Sequence, residues 1–107
     1  MTETLLTVAN LEIAVREAAD TQNGWKVVNI KTFQASSQDG MDANGVIVFD
    51  RTQRKDLPDR MRFGTARWAC EVLPGTDGEV KGRVRFFSGN YDMSLMDAMI
   101  DFAGRKA

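Results

Sequence analysis

Two-residue periodicity dominates the second half of the chain. Between Met61 and the turn Pro74-Gly75-Thr76-Asp77-Gly78, Ala66, Trp68, Cys70 and Val72 alternate with Thr65, Arg67, Ala69 and Glu71. From the turn to Ser88, Val80, Gly82, Val84 and Phe86 alternate with Lys81, Arg83 and Arg85. Successive strand side chains point to opposite faces, so the pattern predicts a long antiparallel hairpin with one apolar and one basic face. A one-residue slip would set apolar groups against charges, which restricts the register. Pairing Val72 with Val80 predicts Cys70 opposite Gly82, Trp68 opposite Val84 and Ala66 opposite Phe86. The other face then sets Arg67 across from Arg85, Ala69 from Arg83 and Glu71 from Lys81.

Upstream the period changes to three and four. Leu5, Val8, Leu11, Val15 and Ala18 predict an amphipathic helix over Leu5 to Asp20, with Glu12, Arg16 and Asp20 on its polar side. Thr4 or Thr7 would cap a long form of it; Asn10 would cap a shorter one preceded by a short strand, Leu5 to Ala9. Asn23-Gly24 supplies its stop. Trp25 to Phe33 is β-rich with imperfect alternation, and Gln34 to Gly45 is polar, with Asp39-Gly40 and Asn44-Gly45 as turn signals. Val46 to Phe49 has no polar position, which predicts a short central strand. Arg51 to Arg60 is a charged connection broken by Pro58. After Ser88 to Asp92, Ser94 and Asp97 form a capping box for a second helix that Gly104 ends. In it Leu95, Ala98, Met99 and Phe102 form one apolar stripe, Met96, Ile100 and Ala103 a second, and Asp97 and Asp101 face outward.

The expected fold is α+β: a four-stranded antiparallel sheet with an N-terminal and a C-terminal helix packed on one face, burying Trp25, Val48, Trp68, Val84 and Phe102 together. At 107 residues this is one domain, 1–107, with room for a modest core.

Composition narrows the chemistry. There is no histidine, which removes the commonest general base and the commonest metal ligand together. The lone cysteine, Cys70, falls on the apolar face and reads as a buried, inert thiol. No signal-peptide n-region and no apolar run near the ~20 residues of a membrane span are present, so the expected location is cytoplasmic, without membrane contact. Asp39 to Gly45 superficially resembles a calcium loop, but aligning Gly45 with the loop glycine puts Arg51 where the bidentate glutamate belongs. No metal or cofactor is expected. An enzyme built on carboxylates or Tyr91 would require Tyr91, Asp92 and a basic residue in one pocket.

The net charge of -1 conceals a division: residues 1–24 carry a net -3, residues 50–67 a net +3. Arg67, Lys81, Arg83 and Arg85, with Phe87 for stacking, form a candidate platform for a partner protein or a nucleic acid. Two opposed arginines repel, and an anion would offset them; a solvated sheet face is the plainer reading. Arg51, Arg54, Lys55, Arg60 and Arg62 would extend the positive field, unless Asp50, Asp56 and Asp59 pair with them. Met96 and Ile100 remain for a partner or for a homodimer if one stripe of the second helix faces the sheet. The expected function is therefore a small non-enzymatic binding module with a protein or protein complex as partner. An accessory or inhibitor protein of the kind phages and mobile elements carry fits that size; nucleic-acid binding through the basic face is the alternative.

Overall fold

The computed structural model describes residues 8–35, 43–74 and 80–106, and side chains over 11–33, 43–70 and 83–106. Helix α1, Val8–Asn23, leads into strands β1 (Lys26–Ala35), β2 (Ala43–Asp50), β3 (Phe63–Pro74) and β4 (Val80–Met93), and helix α2 (Leu95–Gly104) follows. The strands form one antiparallel meander in the order β1-β2-β3-β4, as the α+β reading requires.

Leu11, Val15 and Ala19, four apart, are fully buried and set α1 against the sheet. Gly24, at φ +68°, donates to Asp20 O at 2.9 Å and stops the helix as expected. Asn10 lies inside α1, so the shorter helix with an Asn10 cap does not form; Thr4, Leu5 and Thr7 lie outside the described residues.

In β1, register shifts between Val27 and Asn29 and between Thr32 and Gln34 explain the imperfect alternation. The extra residue lets Val27 and Ile30, three apart, pack into the same cluster. β2 is central and apolar on both faces, and it begins three residues earlier than its hydrophobic run. Asn44-Gly45 is therefore strand and not turn. Gly45 serves close packing: a Cβ there would run into Lys31 O and come within 2.7 Å of the Trp68 ring.

The helices lie on opposite faces, not on one. Leu11, Val15, Trp25, Ile47, Phe49, Trp68 and Val84 pack on the α1 side. Val46, Val48, Phe63, Ala98 and Phe102 pack on the α2 side. The reason lies in β2, whose Val46 and Val48 point away from α1 and need a cover of their own. α2 supplies it, capped by Ser94, whose hydroxyl accepts from Asp97 N at 3.1 Å.

The hairpin register also departs from expectation, by two residues. Cys70 pairs with Val84, Trp68 with Phe86, Ala69 with Arg85 and Arg67 with Phe87. An even shift leaves every side chain on its expected face, so alternation alone cannot detect it. β4 continues past Ser88 to Met93 through two irregularities in which two residues face one on β3. Each contains a non-glycine residue at positive φ, Ser88 at 52° and Asp92 at 61°.

β1 and β4 form the sheet edges, and α1 reaches both. Arg16 Nη1 donates to Val27 O at 3.0 Å and Gln22 Nε2 to Val84 O at 2.9 Å. Edge carbonyls occupied in this way are less open to pairing with another chain.

Candidate interaction surfaces

The expected basic platform shares its face of the sheet with α2. Arg67 is half-buried; its Nη2 donates to Lys106 O at 2.8 Å, and its guanidinium lies 5.9 Å from the Phe33 ring. That arginine holds the segment following α2. Arg83 and Arg85 are exposed, and the Arg85 guanidinium stands 5.9 Å from the ring of Phe87, itself exposed. The Lys81 side chain lies outside the described set. With Arg67 across from Phe87, and Arg85 across from Ala69, the opposed arginine pair that called for an anion does not exist.

The connection between β2 and β3 is largely neutralised. Arg54 makes two 3.0 Å bonds to Asp56, whose hydrogen bond lowers the Asp56 pKa and raises that of Arg54. Arg62 reaches Asp50 and Asp59, each at 2.7 Å. Arg51 bonds Asp92 at 2.6 Å and Met61 O at 2.5 Å, tying the second β4 irregularity to the connection. Lys55 and Arg60 are exposed and enter none of the ion pairs found among the described residues. Of the ten residues expected to form one basic surface, Arg83, Arg85 and Phe87 are exposed together on β4, while Arg51, Arg54, Arg62 and Arg67 make internal bonds.

Tyr91, Asp92 and Arg51 do come together: the Arg51 guanidinium lies 5.6 Å from the Tyr91 ring while bonding Asp92. The small cleft beside Arg51 is lined by Asn23, Gly24, Trp25, Gln53 and Arg54, not by Tyr91 or Asp92. A guanidinium does not give up its proton, and here it braces an irregular strand. Cys70 is 2% exposed among the apolar side chains under α1. Among the described residues no three His, Cys, Asp or Glu side chains gather as metal ligands; Asp39 to Asp42 lie outside that set. No described helix is long and apolar enough to cross a membrane.

α2 carries the other candidate surface. Ala98 and Phe102 face the sheet, and Asp101 joins them, correcting its expected outward position. Its Oδ2 accepts from the buried Thr65 hydroxyl at 2.5 Å, from Arg105 Nε at 3.1 Å and from Asn90 Nδ2 at 3.3 Å. Burial pushes this carboxyl up, but the three donors and the Arg105 charge outweigh it and hold the pKa below the ordinary value. On the far side Met96 is 73% and Ile100 65% exposed. This is the second stripe that the sequence left without a partner.

Searches against protein-family models, curated proteins and solved structures find no match.

Proposed function

We propose that the chain is a small non-enzymatic binding module that engages a protein partner through the outward face of α2. The carrying observation is the exposure of Met96 and Ile100 on a helix whose opposite side is already buried. The outer stripe of a surface helix is ordinarily polar. Here it is apolar, and burying such a side chain is worth about 1.5–3 kcal/mol. Methionine adds a side chain that adapts to an uneven counterpart. An accessory or inhibitor role, acting on a larger assembly, is one form this function would take.

The exposed Arg83, Arg85 and Phe87 favour a second reading, binding of single-stranded nucleic acid along β4. One experiment separates the two. Tagged chain carrying Ile100→Glu is expected to lose the proteins that wild type retains from the source cell, while Arg83→Glu/Arg85→Glu keeps them. The reverse result, together with nucleic-acid binding that weakens steeply with salt, would move the function to the basic strand.

A further inference from the structure

We propose that the α2 side of the sheet, where α2 leaves it uncovered, is a platform for single-stranded nucleic acid. This rests on the nucleic-acid reading of β4, extends it to β1 and β3, and does not involve the outer face of α2. The ten residues of α2 span about 15 Å, whereas the twelve residues of β3 run about 40 Å. The helix therefore covers Val46, Val48 and Phe63 and stops short of the far end of the face. Lys31, Val46, Arg67 and Phe87 form one row across the four strands, and Asn44, Ala69 and Arg85 form the next. The half-buried Phe33 ring lies 5.3 Å from Lys31 Nζ and 5.9 Å from the Arg67 guanidinium. Between Phe33 on β1 and Phe87 on β4, the small Asn44 and Ala69 keep the floor low.

The bonding of the cations points to the ligand. Arg51, Arg54 and Arg62 meet carboxylates, but Lys31 donates to Phe102 O at 2.6 Å and Arg67 to Lys106 O at 2.8 Å. Neutral carbonyls hold these side chains in place without cancelling their charge. Lys106 is exposed where Arg67 holds its carbonyl, and none of the three enters an ion pair among the described residues. The acidic Glu12, Glu17 and Asp20 belong to α1, on the other side of the sheet. Fixed cations beside two rings suit a ligand that alternates anionic groups with flat faces. Phosphates would meet Lys31, Arg67 and Lys106, while bases stack on Phe33 and Phe87, about 14 Å apart across three strand spacings. An acidic peptide would use the charges and leave the rings idle.

Fluorescence anisotropy with dye-labelled oligo(dT) and oligo(U) of about twelve nucleotides tests this. Wild type is expected to bind both and to lose about 20–50-fold in affinity between about 50 and 200 mM salt, as roughly three to four phosphate contacts require. Phe33→Leu keeps an apolar side chain against the α2 cluster, and Phe87 is exposed, so neither Phe33→Leu nor Phe87→Ala should unfold the chain; melting curves check this. Each should weaken binding at least about fivefold with the salt slope unchanged. Lys106→Gln should weaken binding and reduce the slope by about 0.7. A duplex, whose bases are already stacked, should bind more weakly than either single strand. No binding at the lower salt, a duplex or polyglutamate bound as tightly as the single strand, or an affinity indifferent to both phenylalanines would overturn the proposal. If binding responds to Arg83→Glu/Arg85→Glu but not to Phe33→Leu or Lys106→Gln, the reading of β4 stands while the wider platform falls. If the oligonucleotides do not bind at all, both fall.

Discussion

Gly45→Ala is expected to lower stability by about 3 kcal/mol, a large part of the ~5–15 kcal/mol that holds a domain of this size. The added methyl would run into Lys31 O and sit 2.7 Å from Cε2 and Cζ2 of Trp68. Neither neighbour can give way. Lys31 belongs to the strand paired with β2, and Trp68 is fully buried against α1. Urea titration should show a lower midpoint with an unchanged slope, and heating should show a melting temperature down by roughly 10–20 °C. Gly104→Ala makes the same chemical change where nothing lies within 4 Å of the new atom. At the end of α2 it should be neutral or stabilise by up to about 1 kcal/mol. Equal losses at the two positions would refute the packing account of Gly45.

Gly45 also shows where sequence patterns stop being informative. Next to Asn44 in a polar stretch it has the local signature of a turn, because glycine marks both tight turns and close backbone contacts. Only the ring of Trp68, twenty-three residues away, distinguishes the two. The hairpin faces were legible because alternation is a local property. The register was not, since a shift of two residues preserves alternation and leaves every side chain on its face. That β2 is apolar on both faces was evident in Val46 to Phe49, yet its consequence, one helix on each face, requires knowing that Val46 and Val48 have no other cover. The basic surface was legible as composition. Its dissolution into ion pairs was foreshadowed by the interleaved Asp50, Asp56 and Asp59, whereas the bond from Arg67 to Lys106 O spans thirty-nine residues and leaves no local trace. Met96 and Ile100 were legible as an unassigned stripe, and the structure leaves that stripe exposed.

Asp101→Ala is expected to cost about 3 kcal/mol at pH 7 and to loosen α2. The substitution strands the Thr65 hydroxyl, fully buried in the sheet, and removes the counter-charge of Arg105, whose side chain is 12% exposed. Thr65→Val removes a donor from an oxygen that keeps two others, so it should cost about 1 kcal/mol. In the Thr65→Val background Asp101→Ala should then lose less than it does alone, by about 1–2 kcal/mol, which a double-mutant cycle reads directly. The pH dependence has a definite sign. The folded-state pKa of Asp101 is depressed, so its contribution is complete above the unfolded value near 3.9 and disappears as pH falls through the lower folded value. The gap between wild type and Asp101→Ala should therefore be widest at neutral pH and close as the pH falls below about 4. Asp56, also depressed through its bond with Arg54, titrates in the same window, and Asp56→Asn separates its effect. Hydrogen exchange should show faster opening in α2 than in α1 for Asp101→Ala. Because the same carboxylate that accepts from Thr65 fixes the helix presenting Met96 and Ile100, this variant should also weaken any binding on that face without changing a residue in it. Protection of α2 unchanged from wild type would show that the sheet holds the helix by Ala98 and Phe102 alone.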